Sequence, residues 1–318
     1  MNKVLRIDET AAAIAGPPGR SRPAPLPDRL VLGMPHLNPA GLSETWLLKE
    51  LGHRHWFMLA QMAGMTAPSF RDDDGELVYA AFRALSISRG NFGSARENDI
   101  LALSSNLARV SRTQIASRHT MTIDGRLIGE VEMVSAFVRR SPNGGNHGVA
   151  RVTVDGLPAV EARTPTGSLA QLAADFRAGR VELHLGFATG AASALASSIF
   201  EPCPSQDFNG AGFLYFTSYL SFVDRAEWLF DRQSALSAST VQRDVFFHAN
   251  IDPGESILVE MLDVRPMEAA FAHRCRIRRC GDGGTIADIF SIRTTSAGEY
   301  PPNARRIGCP TRPLATSA

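Results

Sequence analysis

The sequence lacks an excess of charge of either sign. Its 33 lysine and arginine residues nearly balance its 32 aspartate and glutamate residues, which leaves a formal net charge of +1. Nucleic acids and anionic membranes attract strongly basic surfaces, so this balance argues against both as main partners. An anionic ligand must therefore be bound locally, by a few arginines or backbone N–H groups.

Long hydrophobic runs are also missing. No apolar stretch approaches the ~20 residues that span a bilayer. The N-terminus carries acids and prolines where a signal peptide would have an apolar core. We therefore expect a cytoplasmic protein that does not enter a membrane.

Metal-ligand patterns are scarce as well. The four cysteines fit no zinc spacing and are too few for a disulfide scaffold in a chain of this length. His53 and His55 are two residues apart on a predicted helix, where their side chains point in different directions. We expect reduced cysteines and no bound metal.

Changes in composition divide the chain into five parts. Residues 1–28 and 301–318 lack periodicity, and we expect both segments to be mobile. A stretch rich in glycine and asparagine at residues 141–148 separates two longer segments. Ser168 and Gln171 have the spacing of a capping box, which predicts a short helix. The predicted parts between the mobile ends are a first domain at 29–140, a linker with a short helix at 141–180 and a second domain at 181–300.

Both domains show the same order of predicted elements. A short apolar run precedes a long helical pattern, and strand patterns follow it. The predicted helices cover residues 42–62 and 212–231. The predicted strands cover residues 79–88 and 127–138 in the first domain, and 243–251, 256–262, 268–279 and 285–294 in the second.

The two helix openings align with each other without a gap. Residues 37–57 match residues 208–228, and the strand that follows is preceded by similar sequences at residues 97–101 and 254–258. Four aligned pairs are identical: Asn38 and Asn209, Ala40 and Ala211, Gly41 and Gly212, Arg54 and Arg225. A chance match between two amphipathic helices is the alternative. The repeat predicts an α+β protein with two antiparallel sheets, each wrapping a long helix, which resembles a double hot-dog.

The start of the second helix is the strongest candidate site. Asp207 and Asn209 precede Gly212 and a long helical pattern that contains Tyr215. A helix N-terminus presents unpaired N–H groups to a thioester oxygen that gains negative charge. Asn209 could orient this oxygen, Asp207 could act as a base, and Gly212 would let the ligand approach the backbone. The alternative is that Asp207 and Asn209 only cap the helix.

The first domain has an equivalent segment. His36 and Asn38 could flank a thioester or its acyl carboxylate, and Gly41 could leave room for the substrate. A single histidine in this position is more often a hydrogen-bonded structural group. The residues do not decide which of the two helix starts holds the active pocket.

Two motifs together carry a resemblance to a known family. They are MPHLNPAGLSETWLLKELGHRHW at residues 34–56, and DFNGAGFLYF with DRAEW at residues 207–228. They resemble the family of the bifunctional acyltransferase/decarboxylase of the leinamycin pathway, over residues 30–300. Many hot-dog thioesterases carry a histidine in the second motif, where this chain has Ala211 and Gly212.

The resemblance implies an enzyme of polyketide-type biosynthesis. Such an enzyme decarboxylates methylmalonyl-coenzyme A, or a related malonyl thioester, and passes the acyl group to an acyl carrier protein through a tyrosyl ester. Coenzyme A and phosphopantetheine thioesters are then substrates, and no cofactor is permanently bound. A homodimer is a further option for the assembly.

The chain has four tyrosines. Tyr300 lies at the edge of the predicted tail, and Tyr219 is four residues from Tyr215 on one helix, where core packing is expected for at least one of them. Tyr79 begins a predicted strand among small neighbours, so we expect it to be the nucleophile and Tyr215 to be the reserve. Two alternatives stay open: a thioesterase or dehydratase that uses Asp207, and a non-catalytic protein that binds acyl carriers.

Overall fold

The computed structural model describes residues 27–140, 145–154, 156–157 and 168–295. The two segments expected to be mobile lie outside this part of the chain, apart from residues 27 and 28. Tyr300 and Cys309 lie outside it too.

The first half contains one long helix and seven strands that precede or follow it. Its elements are β1 (Arg29–Val31), a 3-10 turn (Met34–His36), β2 (Leu37–Asn38), β3 (Gly41–Leu42), α1 (Glu44–Met62), β4 (Tyr79–Ser88), a 3-10 turn (Phe92–Ser94), β5 (Ile100–Arg109), β6 (Gln114–Ile123) and β7 (Arg126–Arg140). Short elements come next: β8 (Val149–Arg151), α2 (Leu169–Arg177), β9 (Leu183–His184) and β10 (Phe187–Ala188).

The second half repeats this order. Its elements are β11 (Ala196–Phe200), α3 (Pro204–Asp207), α4 (Phe216–Phe230), α5 (Arg232–Leu236), β12 (Ala238–Phe247), β13 (Ile257–Met267), β14 (Ala270–Arg279) and β15 (Thr285–Thr295). The predicted second helix therefore begins later than residue 212, because residues 208 and 214 form a β-bridge that closes a turn before α4.

Eleven of the described strands form one large antiparallel sheet, and β2 with β3 and β9 with β10 form two short hairpin pairs. The order of the large sheet is β1-β5-β6-β7-β4-β12-β15-β14-β13-β11, and β8 pairs with β7. The two halves of this order are the same when each is read from the outer edge of the sheet to its centre. In this comparison β4 corresponds to β12, and β5, β6 and β7 correspond to β13, β14 and β15. The predicted double hot-dog is confirmed, with its two half-sheets joined edge to edge where Ile87 pairs with Arg243.

The two long helices share one hydrophobic core. α1 and α4 contact each other and pack against the same face of the sheet. Leu47 and Leu51 of α1 and Phe222 and Val223 of α4 are completely buried. Each such side chain contributes ~1.5–3 kcal/mol relative to an exposed one. The core therefore holds both halves together as one body.

The two asparagines of the repeat each accept a hydrogen bond that closes a turn before a helix. The Oδ1 atom of Asn38 accepts a hydrogen bond of 2.8 Å from the N–H of Ala40, and that of Asn209 accepts one of 3.0 Å from the N–H of Ala211. Gly41 and Gly212 follow with φ of +109° and +72°, a region that favours glycine. The shared Asn-x-Ala-Gly pattern thus encodes the same tight turn before each helix.

The short helix α2 covers the other face of the sheet, against β4 and β7. The Ser168 hydroxyl caps it by accepting from the N–H of Gln171 at 3.3 Å, as predicted. The Gln171 side chain instead binds Asp175 at 3.0 Å, so the reciprocal half of the capping box is not formed.

A β-bulge interrupts the alternation predicted for β4. Phe82 pairs with Ser135 and Ala84 with Val134, so Arg83 is an extra residue in the ladder. A bulge reverses the faces of the residues on either side of it. The alternating sequence of this strand predicts that residues 79, 81, 83, 85 and 87 share one face. This prediction is wrong beyond Phe82.

In the described part of the chain, no helix is both long and apolar enough to cross a membrane.

Candidate active site

A cleft opens between the two halves, bounded by α1, the start of β4 and the loop before α4. It has a large lobe of about 430 Å³ and a small lobe of about 110 Å³. Five residues line both lobes: Tyr79, Ala80, Phe82, Asn209 and Tyr215. Three of the residues proposed from the sequence, Tyr79, Asn209 and Tyr215, therefore meet here although they come from different halves of the repeat.

Tyr79 is the first residue of β4 and is partly exposed in the cleft. Its ring lies edge-on to that of Phe213, with the centroids 5.8 Å apart. The Tyr79 hydroxyl group has no hydrogen-bond partner among the described residues. It is therefore free to contact a substrate.

Tyr215 lies deeper in the cleft. Burial raises the pKa of its hydroxyl to about 12. The hydroxyl oxygen faces Gly52 of α1, since a Cβ atom at this glycine would lie 2.9 Å from it. A glycine at position 52 thus makes room for Tyr215 beside the helix.

Tyr219 is a core residue, as expected for one of the two helix tyrosines. It is 2% exposed, and its hydroxyl donates to the carbonyl oxygen of Ala249 at 2.9 Å. Burial raises the pKa of this hydroxyl. Tyr219 thereby ties α4 to the segment that follows β12.

Asn209 holds the turn at the cleft. Its Oδ1 atom accepts from the N–H groups of Ala211 and Phe213, at 3.0 and 3.1 Å. Its Nδ2 group has no hydrogen-bond partner in the described part of the chain. Asn209 is therefore a turn former whose amide N–H groups remain available to a ligand.

The start of α4 is uncapped. Tyr215 is the N-cap residue, and its side chain makes no capping hydrogen bond. Phe216, the first residue of the helix, lines the small lobe. The first N–H groups of a helix lack partners inside the helix and attract negative charge. The N–H group of Ser218 donates to the carbonyl oxygen of Tyr215 at 2.9 Å, so the uncapped N–H groups of Phe216 and Thr217 are the ones left beside the small lobe.

The start of α1 differs from its counterpart in the second half. Ser43 caps the helix by accepting from the N–H of Trp46 at 3.3 Å. The adjoining space, lined by Asn38, measures only about 40 Å³. Buried charges fill this region instead of an open cleft.

Arg243 lies at the centre of these buried charges and is completely buried. It donates to Glu44 at 2.8 Å, to Asp224 at 2.9 Å and to Glu227 at 3.3 Å. Burial alone would raise the pKa of Glu227, but nearby Arg293 in particular holds it below its ordinary range. Of the two helix starts, the structure thus opens that of α4 and closes that of α1 with ion pairs.

The other predicted site residues lie outside the cleft. The His36 Nδ1 atom accepts from the N–H of Gly33 at 2.8 Å, and its ring packs on Trp46. Gly41 is pressed against the backbone of Phe92, where a Cβ atom would lie 2.2 Å from the carbonyl oxygen. Both residues are explained by local structure.

Asp207 and Gly212 also have local partners. The Asp207 carboxylate, buried at the end of α3, accepts from the N–H of Cys203 at 2.8 Å and does not line the cleft. Gly212 adopts its positive φ beside the guanidinium group of Arg140. The structure therefore does not place Asp207 where it could serve as an acid or base for a substrate in the cleft.

Sequence reasoning missed His55, which lines the large lobe from α1. Its Nδ1 and Nε2 atoms lie 2.7 Å from the hydroxyl groups of Ser117 and Ser135. Ser117 also contacts His119, which contacts Ser105 at 2.8 Å. Burial, with a smaller contribution from the charge of His119, lowers the pKa of His55 to about 3. Burial, with a smaller contribution from the charge of Arg54, lowers the pKa of His119 to about 4. Both rings are therefore neutral near pH 7.

Arg83 and His248 also line the small lobe. Arg83 reaches it because the β-bulge turns its side chain out of the normal alternation. The sequence offers Arg83, Arg89, Arg96, Arg112 and Arg118 as charges for a phosphate group. No local signal in the sequence distinguishes Arg83 from the other four.

One group outside the cleft has the composition of a metal site. The ligand atoms of His147, Asp252 and Glu255 lie within 4.8 Å of one another. Glu255 already accepts from the N–H of Asp252 at 2.6 Å, and Asp252 accepts from the N–H of Asn146 at 2.7 Å. These hydrogen bonds account for the arrangement without an ion.

The fold is similar to those of solved thioesterases. An acyl-ACP thioesterase from Bacteroides thetaiotaomicron is 14% identical, with a TM-score of 0.54 over 83% of this chain and 96% of its own. A 12:0-ACP thioesterase from Umbellularia californica is 7% identical, with a TM-score of 0.57 over 83% and 92%. A protein described as an oleoyl thioesterase from Lactobacillus plantarum is 11% identical, with a TM-score of 0.61 over 85% and 95%. No family model and no curated protein matches the chain. At these identities the likeness concerns the fold alone.

Proposed function

We propose that the protein processes acyl thioesters of coenzyme A or an acyl carrier protein. In the finer form of this proposal, it decarboxylates a malonyl-type thioester and transfers the acyl group through Tyr79. One observation carries the proposal: the cleft brings the free Tyr79 hydroxyl together with the Asn209 amide and the uncapped start of α4. The family resemblance of the sequence and the thioesterase names of the structural neighbours agree with the substrate class.

The start of α4 and the side chain of Asn209 provide hydrogen-bond donors of the kind that thioester decarboxylation needs. Decarboxylation next to a thioester leaves an enolate, whose oxygen needs hydrogen-bond donors aimed at it in a site with little water. The Nδ2 group of Asn209 and the first N–H groups of α4 are such donors. They are present before the reaction, so little reorganisation is needed when charge develops.

Tyr79 is better placed than Tyr215 to accept the acyl group. A phenol with a pKa near ~10 is mostly protonated at neutral pH and needs a strong base. Burial makes Tyr215 still harder to ionise, with a pKa of about 12. Tyr79 is partly exposed and has no described partner that competes for its hydroxyl.

Decarboxylation supplies the base that Tyr79 needs. The bond between the carboxylate and the α-carbon breaks and releases carbon dioxide, which leaves an enolate. The enolate carbon takes the proton of the Tyr79 hydroxyl. The phenolate then attacks the thioester carbonyl, a C–O bond forms, and coenzyme A leaves as a thiolate. The thiol of the carrier protein next attacks the tyrosyl ester.

The guanidinium group of Arg83 favours the binding of an anionic substrate in the cleft. Its Nε atom is buried without a hydrogen-bond partner in the described residues. Burial, together with the nearby charges of Arg177 and Arg151, lowers its pKa to about 10, so the guanidinium still carries its charge near pH 7. A buried cation without a partner is costly, and an anion that enters the cleft relieves this cost. A malonyl carboxylate or a phosphate of coenzyme A has the required charge.

Thioester hydrolysis is the second candidate, because the structural neighbours are named as thioesterases. The position of Asp207 gives it no support, since this carboxylate is occupied by the Cys203 N–H outside the cleft. A hydrolase would need another group to activate water.

The test is incubation with malonyl-, methylmalonyl- and propionyl-coenzyme A, followed by measurement of carbon dioxide and of intact protein mass. We expect carbon dioxide release and an acyl adduct on Tyr79. Tyr79→Phe should lose the adduct, whereas Tyr215→Phe, the matched control, should keep it. Release of free coenzyme A that is unchanged in Tyr79→Phe would favour hydrolysis. Saturable binding without any turnover would identify a binding protein.

A further inference from the structure

His248 lies just after β12 and lines the small lobe together with Tyr79 and Tyr215. Its Nε2 atom is 3.1 Å from the Oδ2 atom of Asp288 on β15. Its Nδ1 atom has no hydrogen-bond partner among the residues that the structure describes. The cleft therefore contains an imidazole that is bound to a carboxylate on one side and free on the other.

Asp288 sets the tautomer of this imidazole. Its side chain is buried, and its Oδ1 atom accepts from Arg276 at 3.0 Å. Burial alone would raise the pKa of Asp288, but the hydrogen bond from His248 and the charge of Arg276 lower it. An ionised carboxylate can only accept, so Nε2 carries the hydrogen and Nδ1 keeps its lone pair.

The segment around His248 is held firmly against the loop before α4. The N–H of His248 donates to the carbonyl oxygen of Ile286 at 2.9 Å. The side chain of Asn250 accepts from the N–H of Leu214 at 2.9 Å and donates to its carbonyl oxygen at 3.0 Å. These bonds keep the imidazole at a constant position relative to the helix start.

Other histidines of the described chain also contact carboxylates. His147 pairs with Glu255, His184 with Asp244, and His273 with Glu227. None of these three histidines lines the cleft. Among the described histidine–carboxylate pairs, the pair of His248 and Asp288 is thus the one whose histidine lines the cleft.

We infer that His248 is the general base for the thiol that accepts the acyl group. This inference rests on the proposed function. A thiol is mostly protonated at neutral pH, and a neutral imidazole with a free ring nitrogen is the side chain that most often takes such a proton. The thiol proton moves to Nδ1, sulfur forms a bond to the acyl carbon, and the bond from this carbon to the Tyr79 oxygen breaks. The imidazolium then returns the proton to the Tyr79 phenolate.

The test separates the two half-reactions. The enzyme is first acylated with methylmalonyl-coenzyme A, and pantetheine is then added while intact mass is followed over time. Because general-base catalysis contributes about 100-fold or more, His248→Gln should clear the acyl group at least about 100-fold more slowly than the wild type. Its rate of acylation should change only a few-fold. His147→Gln, which removes an exposed histidine of the same kind of pair, should clear it at the wild-type rate.

Each outcome decides between the two proposals. If Tyr79 is acylated and His248→Gln clears it as fast as the wild type, the role of His248 is wrong and the proposed function stands. If Tyr79 is never acylated but thioester exchange with pantetheine occurs, the tyrosyl ester is wrong. An equal exchange rate in His248→Gln would then overturn the inference as well. Absence of all turnover in the wild type would overturn both.

Discussion

Acidification should destabilise this protein through two buried histidines, His55 and His119. Both rings lie in a chain of hydrogen bonds with Ser105, Ser117 and Ser135. Burial lowers the pKa of His55 from 6.5 to about 3 and that of His119 to about 4. The folded protein therefore leaves both rings neutral between pH 6.5 and about pH 4, while the unfolded chain protonates them.

The sign and size of the effect follow from this difference. The unfolded chain binds more protons in this window, so the free energy of unfolding falls as the pH falls. Each pH unit below 6.5 costs about 1.4 kcal/mol for one ring, so at pH 5 each ring costs about 2 kcal/mol. Both rings together cost about 4 kcal/mol between pH 8 and pH 5, a large part of the 5–15 kcal/mol of a typical domain.

The result at pH 5 does not depend on how low the folded pKa values are. Once they lie below about 4, the pKa of the unfolded chain sets the cost. Urea denaturation at pH 8 and pH 5 measures the free energy of unfolding at each pH. The variant His55→Gln, which replaces the ring by a polar amide that does not titrate, isolates one ring.

We expect the fall from pH 8 to pH 5 to be about 2 kcal/mol smaller in His55→Gln than in the wild type. Other groups that titrate in this range affect both proteins equally and cancel in the comparison. An equal fall in the two proteins would show that His55 titrates normally in the folded state. The burial argument for a neutral imidazole in the wall of the cleft would then be refuted.

Two further predictions concern the cleft and the closed helix start. Gly52→Ala should lower acyl turnover at least about tenfold, because its Cβ atom would lie 2.8 Å from Phe216 and 2.9 Å from the Tyr215 hydroxyl. Gly210→Ala meets no atom within 4 Å and should leave turnover unchanged; equal turnover in both variants would contradict this. Arg243→Met should lower the free energy of unfolding by about 3–5 kcal/mol in urea denaturation, because it leaves the buried Glu44 carboxylate without an ion pair. Arg118→Met removes an exposed pair with Glu132 and should cost less than about 1 kcal/mol; a similar loss in both would refute the reasoning.

Much of the fold could be predicted from local patterns. The strand at residues 79–88 has the bounds that were expected. Ser43 and Ser168 cap α1 and α2 as residues of their type do before a helical pattern. The repeated Asn-x-Ala-Gly pattern predicted the duplicated architecture. In the structure these residues form a tight turn before each helix.

The candidate site could be predicted only in part. Tyr79, Asn209 and Tyr215 were expected to matter, and the structure brings them to one cleft. Which helix start is open could not be read from the repeat, because both starts share the same turn. The closing of one start depends on Arg243, a residue distant in sequence from the Glu44 that it binds.

The sequence by itself determined the α+β class, the two long helices and the duplication, because these depend on periodicity and turn chemistry within short windows. Only the tertiary structure decided that the start of α4 is open, that a bulge turns Arg83 into the cleft, and that His248 faces it beside Asp288. These features depend on strand register and on contacts between distant segments. Such contacts arise when both halves pack on one core, and no local pattern of residues records them.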